Sequence, residues 1–365
     1  MALSREEVAR YQRHLSLPGF GPAAQERLRS GKVLVIGAGV LGCPALLYLA
    51  AAGVGRIIIV DPDRVEVSNL QRQVLYETSD QGAGKAEAAA RRLRSLNPLI
   101  RIDPLPVRFE RANALDLVGS CDLVVDGSDN FPTRYLVNDA CAIAGKPFVY
   151  GAIQGFDGHV SVFNLRGGPT YRCLFPEPPP PGTVPNCAEA GVLGAVAGLI
   201  GTAQACEAIK VLAGIGEPLS GRLLVWNILT MVPSIVALRR DPHGRRITEL
   251  PPEGYGGACE APEQRDEIGS DELRRRLGED APLQLLDVRE DWERAGCSID
   301  PSVHVPLGRL ETSSAPDIAP LDPAVPTVVY CSAGIRSLRG IQILRERHGF
   351  RSAVSLRGGM NAWLK

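Results

Sequence analysis

The amino-acid sequence predicts an α/β protein, a doubly wound, mostly parallel sheet followed by a second, smaller α/β domain. Three observations carry that expectation. The chain has 365 residues, more than one hydrophobic core usually organises. Near its start KVLVIGAGV and RIIIVD read as parallel strands around a helix that opens near Leu41, a βαβ unit. Beyond Asp241 a stretch to Asp266 is rich in proline, glycine and charge, and after it a new alternation of strands and helices begins. The reading is therefore a first domain over 1–245, a linker over 246–267 and a second domain over 268–365.

Each element follows from local chemistry. Ser4 with Glu7 forms a capping box, so a helix starts there and carries Arg10, Arg13 and His14 on one face. DLVVDGSD and PFVYGAI continue the sheet, with helices over Gly84 to Leu96 and Thr133 to Ala144. The tract PEPPPPGTVP, 176–185, reads as an extended crossing loop, since proline has neither the N–H nor the φ range of a helix interior. Ala190 to Cys206 carries no charge and is bracketed by Glu189 and Glu207. It reads as a buried helix rather than a membrane span, with Gly194 and Gly198 allowing a close neighbour. In the second domain the expected elements are a helix over Asp271 to Leu277, strands QLLDV and TVVYC, a helix through Leu338 to Arg347 and a strand near AVSL.

Composition narrows the partners. A net charge of -1 provides no excess of positive charge for a phosphate backbone, so nucleic acid is not expected. MALSREEVARYQRH is charged from its fourth residue and lacks an apolar leader, which points to the cytoplasm, without a membrane, and to nine cysteines held as thiols.

Gly37, Gly39 and Gly42 lie between a strand and a helix, and Asp61 ends the next strand about twenty residues on, where a carboxylate meets a ribose. That pattern alone fits a dinucleotide for hydride transfer as well as ATP. DPDRVEVSNLQRQ, Lys85 and the strand end DLVVDGSDN favour ATP. Phosphoanhydride cleavage moves charge onto pyrophosphate, which Arg72 and Lys85 can neutralise while Asp129 holds Mg²⁺.

GAGVLG, DPDRVEVSNLQRQ, GAGKAEAA, DGSDN and NCAEAGVLG together resemble the MoeB/ThiF adenylyltransferases, relatives of the ubiquitin-activating enzymes, over about residues 5 to 240. The resemblance implies a Rossmann-like fold, and activation of the C-terminal glycine of a small ubiquitin-like sulfur-carrier protein as an acyl adenylate, with ATP held at the glycine turn, Mg²⁺ as cofactor and pyrophosphate released. It implies that Asp61 binds ribose, that Asn69, Arg72 and Lys85 hold phosphates, that Asp129 takes magnesium, and that Asp63, Ser128 and Asn130 line the same site. Arg13, in RYQRH, matches an arginine that enters the partner subunit's ATP site, hence a homodimer. Cys187, beyond the proline tract, is implied as a thioester or acyl-disulfide thiol. The family's two CxxC zinc pairs are not matched. Cys173 stands in PTYRC with Thr170 in the other position, and LRRDPHGRRITEL supplies no second pair, so no zinc is expected.

In TVVYCSAGIRSLRG a cysteine ends a strand and the chain turns into a helix, aiming backbone N–H groups at the sulfur, an arrangement that stabilises a thiolate or persulfide. LLDVRE, CSAGIRS and LRGGMNAW resemble the rhodanese sulfurtransferase domains over about 268 to 365. Cys331 is the carried-over catalytic residue, in a loop of Cys331, Ser332, Ala333, Gly334, Ile335, Arg336 and Ser337, with Asp287 and Arg289 in support. A phosphatase loop needs one more residue between cysteine and arginine. The combined expectation is that Cys331 takes sulfur from thiosulfate or a cysteine desulfurase persulfide, that its persulfide attacks the adenylate, and that a second thiol such as Cys187 frees the thiocarboxylate. The alternative is an activator of ubiquitin-like conjugation whose rhodanese domain only docks partners. The carrier decides whether the sulfur goes to molybdenum cofactor, thiamine, cysteine or tRNA.

Overall fold

The computed structural model describes residues 2–178, 191–242, 247–252, 255, 266–279, 281–312 and 318–364. The proline tract from 179 onward and Cys187 therefore lie outside the described residues. The chain divides into two compact units, Met1–Gly257 and Ala258–Lys365.

In the first unit the capping box closes as expected. Ser4 Oγ accepts from Glu7 N at 3.1 Å and Glu7 Oε2 from Ser4 N at 2.7 Å, opening the helix Arg5–Leu15. Strands β1 (Lys32–Ile36), β2 (Arg56–Val60), β3 (Arg101–Leu105), β4 (Leu123–Asp126) and β5 (Phe148–Gln154) are parallel. Strands β6 (Asp157–Phe163), β7 (Arg222–Asn227) and β8 (Val232–Ala237) continue antiparallel, giving the order β3-β2-β1-β4-β5-β6-β7-β8. The apolar runs of β1, β2 and β4 are buried on both faces, as parallel strands covered by helices must be. The order reverses between β1 and β4, which opens a crevice at their carboxyl ends.

The uncharged segment enters the helix Gly194–Ala213. It is long and apolar enough to cross a membrane, yet it packs on the helix Gly42–Ala52 and on β5 and β6. Gly194 meets Gln71 O at 2.7 Å from where a Cβ would stand, whereas Gly198 has nothing within 4 Å. Gly201 takes the expected close contact instead, against Leu41 O. At about 3.6 residues per turn, position i+7 falls nearer than i+4 to the same face. In the stretch read as linker, Leu250 and Tyr255 are buried in this unit, and Tyr255 Oη donates to Asp139 Oδ2 at 2.8 Å.

The second unit is a five-stranded parallel sheet of β9 (Glu267–Ile268), β10 (Gln284–Asp287), β11 (Val303–His304), β12 (Thr327–Tyr330) and β13 (Val354–Leu356), ordered β11-β10-β12-β13-β9. The helix Ile335–His348 follows β12 and packs its buried Ile341, Ile343 and Leu344 on Val329 and Leu286. The turn between β12 and that helix holds Cys331.

Candidate functional site

The crevice of the first unit is built from two chain reversals that touch. Gly37 has φ +88°, a left-handed conformation that favours glycine, and a Cβ there would lie 2.9 Å from Gly127 O. A Cβ on Gly42 would overlap Gly37 O, so the helix Gly42–Ala52 starts tight against the turn. At Gly39 a Cβ would meet only Gln73 Nε2, at 3.9 Å, which leaves its surface open to a ligand. The glycine turn after β1 and the DGSDN loop after β4 are thus neighbours at the switch point.

Asp61 ends against this turn. Its Oδ2 accepts from Ala38 N at 2.7 Å and its Oδ1 from Asp63 N at 2.8 Å. Burial pushes its carboxyl above the ordinary range, opposed by those N–H groups and by Lys85. Lys85 opens the helix Lys85–Leu96 and sends Nζ to Asp63 Oδ2 at 3.0 Å. Its side chain is 8% exposed and that of Asp63 61%. Asp61, Asp63 and Lys85 therefore form one hydrogen-bonded run. Asn69 is buried in the turn Val67–Asn69, where its Oδ1 accepts from Glu66 N at 3.3 Å, and Arg72 Nη1 donates to Ser68 O at 2.7 Å.

In the loop after β4, Ser128 donates both N and Oγ to Asp126 Oδ1, at 3.0 and 2.6 Å. Asn130 caps the helix Phe131–Ala144 through Thr133 N, and its Nδ2 reaches Asp129 Oδ1 at 3.5 Å. Asp129 itself is exposed at the carboxyl edge of the sheet, with oxygen ligands of the hard type that Mg²⁺ takes. Arg13 is exposed on the first helix and bonds to none of these groups.

Three polar side chains that sequence reasoning passed over stand in the same region. Gln73 and Gln204 are at most 5% exposed and Asp126 is fully buried, and Gln73 Oε1, Asp126 Oδ2 and Gln204 Oε1 have no partner among the described residues. Gln204 Nε2 donates to Asp126 O at 2.7 Å, tying the long helix to the end of β4. Burial raises Asp126, opposed by Arg134 and Ser128. Gln73 and Asp126 both sit inside the quoted motifs, in NLQRQ and DGSDN. For Asp126 the signal was a polar residue adjoining Gly127. The glycine cradle fits the phosphates of a nucleotide, and the adenine amino and ribose hydroxyl groups are the donors it brings to such a polar region.

At the position of the incomplete zinc pair, Cys173 Sγ accepts from Thr170 N at 3.4 Å and from Asp241 N at 3.5 Å, with Thr170 Oγ1 also at 3.4 Å. Among the described residues no group of three or more His, Cys, Asp or Glu is placed to hold a metal.

In the second unit Cys331 is 1% exposed, and its sulfur accepts from Gly334 N at 3.1 Å with Ser337 Oγ at 3.5 Å. Gly334 has φ +93° and caps the helix Ile335–His348. The C-terminal LRGGMNAW segment closes the other side. Met360 N donates to Cys331 O at 2.8 Å, Asn361 N to Ser332 O at 2.9 Å, and a Cβ on Gly359 would overlap Cys331 O. Arg336 makes a two-pronged pair with Glu293, at 2.7 and 2.6 Å, and also reaches Ser332 Oγ at 3.1 Å. Burial raises the Glu293 carboxyl, but hydrogen bonds from Arg336, Ser332 and Glu290 N outweigh it and bring it down to about 2. Beneath, Arg289 clasps Asp287 at 2.9 and 2.7 Å with both side chains buried. Glu293 was not singled out from the sequence, because its spacing from Glu290 reads as a helix cap. It does cap, accepting from Glu290 N at 2.9 Å.

Residues 11–245 match the ThiF family and residues 270–365 the rhodanese-like domain. The chain is 46% identical to the probable adenylyltransferase/sulfurtransferase MoeZ of Mycobacterium tuberculosis, over 100% of this chain and 94% of that one. It is 56% identical to a sulfur carrier protein adenylyltransferase of Thermus thermophilus, over 66% and 91%. Against the mouse adenylyltransferase and sulfurtransferase MOCS3 it is 41% identical, over 99% and 86%. Among solved structures, MccB of E. coli superposes at a TM-score of 0.59 and 23% identity, covering 68% of this chain and 76% of that one, a likeness of fold.

Proposed function

The chain belongs to the ThiF family and carries a rhodanese-like domain, and from that premise we propose that both units act on one sulfur-carrier protein. The chain is an adenylyltransferase and sulfurtransferase. The first unit adenylylates the C-terminal glycine of a small ubiquitin-like carrier with ATP, and the second delivers sulfur to that carbonyl as a Cys331 persulfide.

The observation that carries the reading is the pairing, in one chain, of a nucleotide cradle whose acceptors await a ligand with a buried thiol that accepts a loop N–H. In the first step the glycine turn lets backbone approach the phosphates, Asp61 orients the ribose, and Arg72, Lys85 and Asn69 meet the departing pyrophosphate. Asp129 would hold Mg²⁺, which offsets the charge gathering on the leaving group. Asp63 holds Lys85 and Asn130 reaches Asp129, while Ser128 is anchored on Asp126 in the same loop. In the second step Gly334 N–H faces Cys331 Sγ, the terminal sulfur of the Cys331 persulfide attacks the acyl carbon, and AMP leaves. The product is an acyl disulfide. A second thiol, assigned to Cys187, attacks the Cys331 sulfur of the acyl disulfide, so that the thiocarboxylate leaves as a Cys187–Cys331 disulfide forms, which an external dithiol reductant returns to two thiols.

Arg13, exposed on its helix, is assigned to the partner subunit's ATP site in a cytoplasmic homodimer. Mixing Arg13→Ala with Asp129→Ala protomers should restore one working site per heterodimer. The carrier's pathway, molybdenum cofactor, thiamine, cysteine or tRNA thiolation, is read by identifying the small protein that copurifies. The function is tested by incubating the chain with carrier, ATP, Mg²⁺ and a sulfur donor, either thiosulfate or a cysteine desulfurase with cysteine. A carrier thiocarboxylate is expected. Adenylate that accumulates with every donor, without thiocarboxylate, would contradict the sulfur step.

A further inference from the structure

We propose that Glu293 selects the sulfur donor, closing the Cys331 loop to small oxyanions such as thiosulfate and leaving it open to a persulfide borne on a cysteine of another protein. The proposal deepens the sulfur-transfer half of the function proposed above and rests on it.

The loop Cys331 to Ser337 contains one cation, Arg336. A dianionic donor needs cationic or N–H partners to replace its hydration, and a guanidinium is the side chain best shaped to provide them. Arg336 is already spent. Both Nη atoms lie on the Glu293 carboxylate at 2.7 and 2.6 Å, and Ser332 Oγ bonds to both members of the pair. The side chains are 21% and 10% exposed, so the pair is mostly withdrawn from water and its charges cancel. Of the other arginines of this unit's site region, Arg289 is held by Asp287 with its side chain 3% exposed, Arg294 reaches Asp287 and Ser302, Arg339 pairs with Glu311 and Arg357 with Glu267. Among the described residues, an oxyanion entering the loop therefore meets the Glu293 carboxylate and only arginines that are already paired with carboxylates.

Two large apolar side chains are exposed here, next to the exposed carboxylates of Glu290 and Asp291. Trp292, beside Glu293, is 76% exposed, and Ile335, in the loop itself, is 45% exposed. An exposed tryptophan at the edge of a reactive loop suits contact with a protein surface, where aromatic anchors carry binding. A cysteine persulfide has a soft, polarizable outer sulfur and needs no counter-cation. In the transfer the Cys331 thiolate attacks the outer sulfur of R–S–SH, the new S–S bond forms as the donor's S–S bond breaks, and the donor leaves as R–S⁻. Cys331 becomes Cys–S–SH. Its sulfur is oxidised to the persulfide level as the donor cysteine returns to thiol, and one negative charge passes between them, so no outside oxidant is needed.

The test loads sulfur onto the full chain without ATP or carrier and reads the gain of a sulfur atom on Cys331 by intact mass. The donors are thiosulfate, free cysteine persulfide and a cysteine desulfurase supplied with cysteine. The desulfurase should load Cys331 with a kcat/KM at least about tenfold above that of thiosulfate, the scale of one withheld charge-assisted contact. Glu293→Gln should lower the KM for thiosulfate by about tenfold or more, since it frees the guanidinium, and the effect should lie in KM rather than kcat. Ala333→Lys, an exposed change that leaves Glu293 intact, should lower the same KM. Trp292→Ala should slow loading from the desulfurase more than from free cysteine persulfide. The proposal is overturned if thiosulfate already matches the desulfurase, or if neither Glu293→Gln nor Ala333→Lys improves thiosulfate. An equal loss from both persulfides in Trp292→Ala overturns its protein-borne part. Loading from no donor sinks this inference together with the sulfur step, whereas loading without later thiocarboxylate sinks the proposed function alone.

Discussion

The two units treat polar atoms in opposite ways around similar glycine turns. Near the first unit's cradle Gln73 Oε1, Asp126 Oδ2 and Gln204 Oε1 are buried without partners among the described residues. In the second unit the charges around Cys331 are matched before any ligand arrives: Arg336 with Glu293 and Arg289 with Asp287. A buried unpaired acceptor costs roughly 1 to 3 kcal/mol, so the first unit carries a cost that the few donors of a nucleotide, its adenine amino and ribose hydroxyl groups, can offset. The second binds one atom and needs its cradle complete. The difference teaches that a site for a large polar substrate is recognised by what it leaves unsatisfied, and a site for a reactive sulfur by what it has already satisfied.

The sharpest break of the comparison is Asp129→Ala. The carboxylate is exposed, so stability should hold within about 0.5 kcal/mol while ATP–pyrophosphate exchange falls by roughly 10²-fold or more. Near-normal exchange would remove Asp129 from the site. Next in size is a pair of substitutions in the units' own carboxylates. Asp287→Ala leaves Arg289 buried and unpaired and should cost about 3 to 5 kcal/mol in the second unit's thermal transition, with the first unit's unmoved. Asp126→Asn keeps an oxygen for Ser128 and should cost under about 1 kcal/mol. Equal costs in calorimetry would erase the contrast.

Glycine tests follow. Gly37→Ala, at φ +88° and against Gly127 O, should cost roughly 1 to 3 kcal/mol and with it nucleotide affinity. Gly39→Ala should fold as the parent does and weaken ATP binding alone, read by titration calorimetry. The smallest effect is a pH trend. Glu293 is lowered from 4.5 to about 2. Its contribution is present above pH 4.5 and is lost as pH falls through about 2. Asp126 is raised from 3.8, so its contribution is present below that value and is lost as pH rises through its folded pKa. Acidification toward pH 3 should thus lower the second unit's midpoint relative to the first's, and Glu293→Gln should remove that part of the trend. An unchanged slope in the variant would contradict the assignment.

Much of this was legible in the sequence because glycine spacing and strand runs are local. The turn after β1 needs Gly37 for its φ and Gly42 for the helix packed behind it, and KVLVI and RIIIV are apolar enough to be buried on both faces. Side-chain pairing across the fold was not. Glu293 and Arg336 are 43 residues apart, and the E-x-x-E spacing offers a sufficient local reason for Glu293. Gln204 reaches Asp126 from a helix 78 residues on, a distance at which no local pattern speaks. Gly201, rather than Gly198, makes the close helix contact for a similar reason, since only the neighbouring chain decides which glycine is pressed.

The central claim is that the two units perform separable steps on one carrier, and Cys331→Ser tests it most directly. The substitution changes little volume in a loop whose backbone is held by Met360 N on Cys331 O and Asn361 N on Ser332 O. With carrier, ATP, Mg²⁺ and a cysteine desulfurase supplied with cysteine, the variant should keep ATP–pyrophosphate exchange at the parent rate and form no carrier thiocarboxylate. Thiocarboxylate at the parent yield, or exchange lost together with it, would contradict the account.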